Sequence, residues 1–425
     1  MTLSPWLSLL LAVPVLLAGE FLVRRVRLLS RFNIPAPVVG GLLVALGFFA
    51  TNLTGLAGLQ FGTEVSARWW TWLVTIEPAW VDAPLKSVNL PFLVAFFTCI
   101  GLNASWDIAR RGSVQVLIFL ALSTVLAMMQ NALGVALARL LGAPPLLGVV
   151  CGGVSLMGGM GTAMGFAPDL EKAGLAGAAV LGVAAATFGL VAGGLVGGPV
   201  GGALIRKHQL KPATADPHLL APASTGESGF LPDVRHLLRL GRAMIAHALV
   251  LLVCIKAGVW VSHFLQQTGM TFPVYIGAML VGVAVRNAFD LSGRPWIKTE
   301  IVDTLAAVLL GVFLSVAMMT LNLARLADTA LPMLIILAAQ VAVMAAFAWF
   351  VTFRAMGRDF DAAVMAGGQC GFGLGATPNA IANMKSLVEN FGPAPRAFLV
   401  VPIVGAFLID FLNAVNITFF INLVK

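Results

Sequence analysis

Two glycine-rich stretches decide how this chain reads. They are Ser155-Leu-Met-Gly158-Gly159-Met160-Gly161-Thr162-Ala-Met-Gly165 and Gly367-Gly368-Gln369-Cys370-Gly371-Phe372-Gly373-Leu-Gly375-Ala-Thr377-Pro378-Asn379. Each interrupts an oily sequence and precedes a long apolar run. Irregular backbone at membrane depth is stable only where protein buries it or where it lines a watery cavity. A pair of such interruptions at matching places in two halves points to a transporter's binding site.

The surrounding composition agrees. Of 425 residues, 59% are hydrophobic and 10% are charged, against about 25% charged in soluble domains. The formal charge of +8 sits in short loops between apolar runs, so it reads as membrane topology, with no nucleic-acid partner. A bilayer-crossing helix needs about 20 mostly apolar residues. Ten stretches qualify: 4–22, 36–54, 91–106, 114–141, 175–205, 243–265, 272–289, 302–322, 330–353 and 397–423. The N-terminus lacks a basic leader, so its first apolar run reads as a retained span. The expected fold is therefore an all-α polytopic membrane protein in which each glycine-rich stretch is a re-entrant loop.

The halves align. Pro37-Val-Val-Gly-Gly41 matches Pro273-Val-Tyr-Ile-Gly277, and Gly161-Thr162-Ala163 faces Gly375-Ala376-Thr377. Five spans per half invert the second half, giving two inverted five-span repeats. The expected limits are 1–206 for the first repeat, 207–242 for a linker and 243–425 for the second. Basic residues concentrate in the odd-numbered loops: Arg24, Arg25, Arg27 and Arg31 in the first, Arg110 and Arg111 in the third, and Lys207, Lys211, Arg235 and Arg239 in the fifth. The odd loops and the linker, flexible near Ala213–Ser228, are then cytoplasmic, and both termini lie outside. The segment from Thr51 to Leu90 is longer than its counterpart and carries Trp69, Trp70, Trp72 and Trp80. It reads as an interfacial aromatic belt, or else as a partner or gating surface.

Glycine lets backbone approach a ligand without side-chain obstruction, and a broken helix offers a positive N-terminal end to a carboxylate. Ser155, Gly158, Gly159, Met160, Gly161 and Thr162 form one lip of the expected binding site. Gln369, Cys370, Gly371, Gly373, Thr377 and Asn379, with Gly368, form the other. Small hydroxyls such as Ser155 and Thr377 suit a hard cation. Asp410 lies mid-span with Asn413 and Asn416 following at intervals of three. A carboxylate at that depth is a functional site by default, either for sodium or for a proton. Asn103, near the end of the third span, is placed to reach the first loop. Gln130, Asn131 and Gln340 read as interhelical hydrogen-bonding groups. Lys256 lies within the sixth span, snorkelling or paired. Cys99, Cys151, Cys254 and Cys370 show no metal spacing, and the five histidines form no cluster, so no transition-metal site is expected. No Ser–His–Asp order, phosphate-binding loop or HExxH motif occurs. This excludes the commoner enzyme classes and ATP as a drive, and leaves an ion gradient as the energy source.

These residues resemble the bacterial sodium:glutamate symporter family. The resemblance is carried by Ile34-Pro35-Ala-Pro37-Val-Val-Gly40-Gly41, Ile100-Gly101-Leu102-Asn103-Ala104, Met129-Gln130-Asn131-Ala132, Cys370-Gly-Phe-Gly-Leu-Gly-Ala-Thr377-Pro378 and Phe398-Leu-Val-Val-Pro402 running on to Asp410. It covers nearly the whole chain. It implies sodium-coupled symport of glutamate, or a closely related small carboxylate, across the bacterial cytoplasmic (inner) membrane. Na+ is then the coupling ion, held by Asp410, Asn413, Asn103, Ser155 and Thr377. The resemblance also implies a homodimer in which a transport portion moves as an elevator. Met160 and Gln369 depart from the family pattern, each standing where a histidine is common. The alternatives are a different anion or amino acid, proton coupling, and a passive channel.

Overall fold

The computed structural model describes residues 2–31, 34–53, 60–76, 86–105, 113–212, 232–234, 241–267, 274–293, 296–321 and 329–425. The expected flexible linker near Ala213–Ser228, and Trp80, Arg110, Arg111, Arg235 and Arg239, lie outside them. In chain order the main helices are α1 (Pro5–Arg25), α2 (Ala36–Leu53), α3 (Leu90–Asn103), α4 (Ser113–Leu140), α5 (Pro145–Val149, continued by π-helical Val150–Met157), α6 (Gly159–Lys172) and α7 (Ala178–Lys207). Then follow α8 (Arg242–Gln266), α9 (Val274–Leu291), α10 (Thr299–Met319), α11 (Ala330–Phe347, continued by π-helical Ala348–Thr352), α12 (Phe360–Leu374), α13 (Thr377–Phe391), α14 (Pro395–Ile403) and α15 (Ile409–Val424).

Nine of the ten expected spans each coincide with one helix; the tenth, 397–423, covers α14, π-helical Val404–Leu408 and α15. Six of these, α1, α4, α7, α8, α10 and α11, are long and apolar enough to cross a membrane on those grounds alone. Three of the others, α2, α3 and α15, are shorter apolar helices. The fourth, α9, carries Arg286 and Asp290 in its last turns.

Helices from both sequence halves mix in each of two compact units. One unit comprises Met1–Asp107 with Gly226–Ala324, and the other Ile108–Thr225 with Arg325–Lys425. The first unit thus holds α1–α3 and α8–α10, the second α4–α7 and α11–α15. Packing boundaries cut across the halves because the partners of each helix lie far away in sequence.

Close backbone approach organises the first unit. A Cβ added at Gly258 would fall 2.1 Å from the Ala278 Cα, and one at Gly101 would fall 2.1 Å from the Met279 carbonyl oxygen. Lipid tails are as apolar as leucine, so dispersion between closely approaching helices replaces a hydrophobic drive. Phe97 and Tyr275 stack at 4.0 Å between centroids, joining α3 to α9. The described residues of the tryptophan segment form two short pairings: Leu3 pairs with Phe61 in a two-residue parallel bridge, and Val65 with Lys86 in an antiparallel one. These short strands are an addition to the all-helical expectation. Trp6 stacks on Trp69 at 5.3 Å and meets Trp70 edge-on, while the Trp70 indole donates to the Val88 carbonyl at 3.0 Å. The segment therefore packs onto the start of α1 and is more than a row of interfacial rings.

Candidate functional site

Both glycine-rich stretches break helices of the second unit. In the first, π-helical winding ends α5, and Gly152 leaves the helical region altogether (φ −114°, ψ −129°). The chain then turns at Gly159, whose φ of +66° favours glycine, and α6 starts there. Gly153 next to the break is gripped from two sides. Its N–H donates to Asn131 Oδ1 at 2.7 Å, and its carbonyl accepts from Asn413 Nδ2 at 2.7 Å. These two bonds orient both amides and leave Asn131 Nδ2 and Asn413 Oδ1 buried without a partner among the described residues. Ser155, fully buried two residues on, also has an unpartnered hydroxyl. Such a group costs roughly 1–3 kcal/mol if left alone, so three together mark a place built for something further.

The second break lies between α12 and α13. Gly375 (φ −152°, ψ −82°) and extended Ala376 separate them, and Pro378 suits the first turn of α13, where its missing N–H is no loss. Each polar side chain here makes at least one bond, while Gln130 Oε1 and Gln340 Oε1 have no partner among the described residues. The Thr377 hydroxyl donates to the Gly405 carbonyl at 2.5 Å, and Asn379 Nδ2 donates to the Leu190 carbonyl at 2.7 Å. Asn383 Nδ2 donates to the Gly193 carbonyl at 2.9 Å, and Gln130 Nε2 to the Gly373 carbonyl at 2.7 Å. Gln340 in turn donates to the Gln130 carbonyl at 2.7 Å. The interhelical bonds expected of Gln130 and Gln340 are therefore present, and Asn131 does more than expected by holding the first break itself.

The two breaks meet. A Cβ on Gly159 would lie 3.1 Å from the Gly375 carbonyl oxygen. Gly189 of α7 fills the seam: a Cβ there would come within 1.9 Å of the Leu374 carbonyl oxygen and 2.7 Å of Leu156 Cδ2. The N-termini of α6 and α13 and the C-terminal ends of α5 and α12 thus gather at one place. Each helix end carries roughly half an elementary charge, positive at the N-terminus and negative at the C-terminus. The crossing offers N–H groups to an anion and carbonyls to a cation within one site.

Asp410 opens α15, one turn before Asn413. It is half-buried, and its carboxylate makes no hydrogen bond or ion pair among the described residues. Asn416, a further turn on, is buried with both amide atoms unpartnered.

Other expected residues fall differently. Met160, Thr162 and Cys370 are buried beside the breaks. α13 passes close to α12 at Gly371, where a Cβ would fall 2.4 Å from the Ala380 nitrogen. Gln369 is fully buried and engaged: Oε1 accepts from the Thr352 hydroxyl, and Nε2 reaches the Ser123 hydroxyl at 3.4 Å. It braces α12 against α4 and α11. Asn103 belongs to the first unit, where it donates to Asp303 Oδ1 at 2.6 Å. Asp303 lies in the second turn of α10, an acid near the start of an apolar run.

The sequence places the chain among known proteins. The family described as "Sodium/glutamate symporter" matches residues 1–76 and 73–393. A sodium/glutamate symporter of Haemophilus influenzae is 37% identical over 414 residues, covering 97% of this chain and 96% of that protein. One of Escherichia coli strain K12 is 40% identical over 417 residues, covering 98% and 97%. Among solved structures, a sodium proton antiporter of Methanocaldococcus jannaschii shows a loose likeness, with a TM-score of 0.41, 13% identity and 98% of each chain covered. With its two adjoining helix breaks and an end-to-end match to these relatives, the chain belongs to the sodium/glutamate symporter family.

Proposed function

We propose that this chain is a membrane symporter that couples sodium entry to uptake of glutamate, with the crossing of the two broken helices as its binding site. The observation that carries the reading is the crossing itself. It joins opposed helix ends, unpartnered buried oxygens and an unpaired carboxylate one turn away. Hard cations take oxygen ligands. Asp410, Asn413 Oδ1 and Ser155 Oγ are oxygens without a partner and fit Na+; the Thr377 hydroxyl oxygen keeps a lone pair and joins them. The solute carboxylate takes the N–H groups at the starts of α6 and α13, from Gly159 and Gly161 on one side and Thr377 on the other; Gly158, whose N–H is held by the Gly153 carbonyl, and Thr162 line the approach. Met160, Cys370, Gly371 and Gly373 shape the walls. Gln369 and Asn379 hold the frame in place and do not touch the solute. Asn103 is left out of the sodium site.

The remaining architecture is proposed on the same footing. The breaks are the tips of two re-entrant hairpins in inverted repeats spanning 1–206 and 243–425, with 207–242 as linker. For the second hairpin, support comes from its two outer ends. Asp359, which caps α12, pairs with Arg396 just beyond α13. The end of α7 lies against the ends of α11 and α13 through the Lys207–Trp349 and Arg206–Phe391 contacts. Basic Arg206, Lys207, Arg354 and Arg358 share that side, which we assign to the cytoplasm with the linker; both termini are then outside. The unit formed by α4–α7 and α11–α15 is the portion that moves, as an elevator, in a homodimer. One charge moving down the membrane potential yields about 2.3 kcal/mol per 100 mV, enough for roughly 50-fold accumulation.

Uptake of labelled glutamate into proteoliposomes, with and without an inward sodium gradient, tests the reading. Sodium-dependent accumulation is expected. Accumulation of another small acid in place of glutamate would overturn the solute. Equal uptake from sodium and potassium buffers, with a response to an imposed pH gradient, would replace sodium by a proton at Asp410.

A further inference from the structure

Lys256 sits within α8 on the face of the first unit. Its ammonium donates to the carbonyls of Trp72 and Thr75, each at 2.7 Å, and lies 4.5 Å from the centre of the Trp72 ring. It has no carboxylate partner among the described residues. Two of its three N–H donors are used, so one donor and the whole formal charge are uncompensated. Beside it opens a groove of about 500 Å³ lined by Trp72, Leu73, Leu252, Val253, Ala257 and Trp260. Apart from Lys256, these lining side chains are aliphatic or aromatic, and both tryptophans, Leu252 and Val253 are exposed.

A lone cation on an apolar membrane face is costly, and such groups pair with what the surroundings offer. The chemistry of the groove narrows the occupant. A free phosphate would satisfy the charge and gain nothing from six apolar walls. An uncharged lipid would fill the walls and leave the charge. A second copy of this chain would have to bring a carboxylate to the lysine from a lipid-facing surface. From these observations we infer that the groove is a binding site for one anionic phospholipid, whose headgroup phosphate pairs with Lys256 and whose acyl chain lies along Leu252, Val253 and Trp260. The Trp72 ring and carbonyls hold the ammonium in position, and Trp260 forms the far wall.

The test is native mass spectrometry of the full-length protein in detergent, titrated with phosphatidylglycerol or phosphatidylcholine. The wild type retains one phosphatidylglycerol per chain at concentrations where phosphatidylcholine is lost. Lys256→Gln lowers phosphatidylglycerol retention to the phosphatidylcholine level, and Lys256→Arg restores most of it. Trp260→Ala leaves both lysine–carbonyl bonds in place and still lowers retention several-fold, so the site is testable even if Lys256→Gln fails to fold. Equal retention of the two lipids by the wild type would overturn the inference. So would unchanged phosphatidylglycerol retention in the Lys256→Gln or Trp260→Ala variant, or displacement of the lipid by millimolar inorganic phosphate. A shift from dimer to monomer in Trp260→Ala with no lipid retained by the wild type would give the groove to a second copy instead.

Discussion

The two helix breaks look alike in sequence and differ in how their polar groups are used. At the first, Gly153 takes one bond from Asn413 and gives one to Asn131, and the rest of the neighbourhood is left open: Ser155 Oγ, Asn413 Oδ1 and Asn131 Nδ2 have no partner. At the second, Thr377, Asn379, Asn383 and Gln369 are all bonded to other helices. The first break is equipped to take a ligand with side chains. The second is braced, and what it offers is mainly backbone. Glycine content alone does not separate the two cases; the partners of the accompanying Ser, Thr, Asn and Gln do.

Five substitutions, in four experiments, test this contrast. The largest effect is expected for Asp410→Asn. Contacts to charged groups are worth about 1.5–3 kcal/mol, so sodium-dependent uptake should fall roughly 10- to 100-fold at unchanged membrane expression. A parallel loss of expression and uptake would make Asp410 structural. Next comes Gly189→Ala, which drives a methyl against the Leu374 carbonyl in the seam between the breaks. Overpacking costs about 1–3 kcal/mol, and a lowered thermal unfolding midpoint in detergent should accompany weakened uptake. An unchanged midpoint would show that the seam is loose.

The third comparison sets the breaks directly against each other. Asn413→Ala should raise the sodium concentration for half-maximal uptake several-fold. Asn379→Ala should lower stability by about 1 kcal/mol, the size of a buried hydrogen bond, and leave that concentration unchanged. Matching behaviour of the two variants would erase the distinction. The smallest effect belongs to Ser155→Ala. Its hydroxyl makes no bond among the described residues, so the unfolding midpoint should hold within about 0.5 kcal/mol while sodium half-saturation shifts a few-fold. A destabilised variant with normal sodium dependence would show that Ser155 bonds to a buried water.

Much of this was legible in the chain. Nine of the ten apolar runs coincide with one helix each, because hydrophobicity over about 20 residues is a local property; the tenth holds two, joined through π-helical Val404–Leu408. The breaks fall where glycine crowds the sequence, and Pro378 stands at the start of α13. Asp410 stood out as a carboxylate inside an apolar run. Other readings were out of reach. Gln369 looked like a solute contact, and the structure turns it toward Thr352 and Ser123. Asn103 looked like part of the sodium site, and the structure pairs it with Asp303. The sequence did not show that the described part of the tryptophan segment packs on the start of α1 with two strand pairings.

The sequence by itself determined the spans, the places where helices must break and the class of chemistry the breaks can support. These follow from hydropathy, from glycine's freedom and from the cost of a charge in hydrocarbon, all of which act within a few turns of helix. Tertiary structure alone decided which polar groups are free to meet a ligand. That choice is a competition for hydrogen-bond partners between residues far apart in the chain, such as Gln130 with Gly373 and Asn413 with Gly153. Each buried donor takes the best acceptor that folding brings within about 3 Å, and the oxygens left over at the first break are those available to the ion.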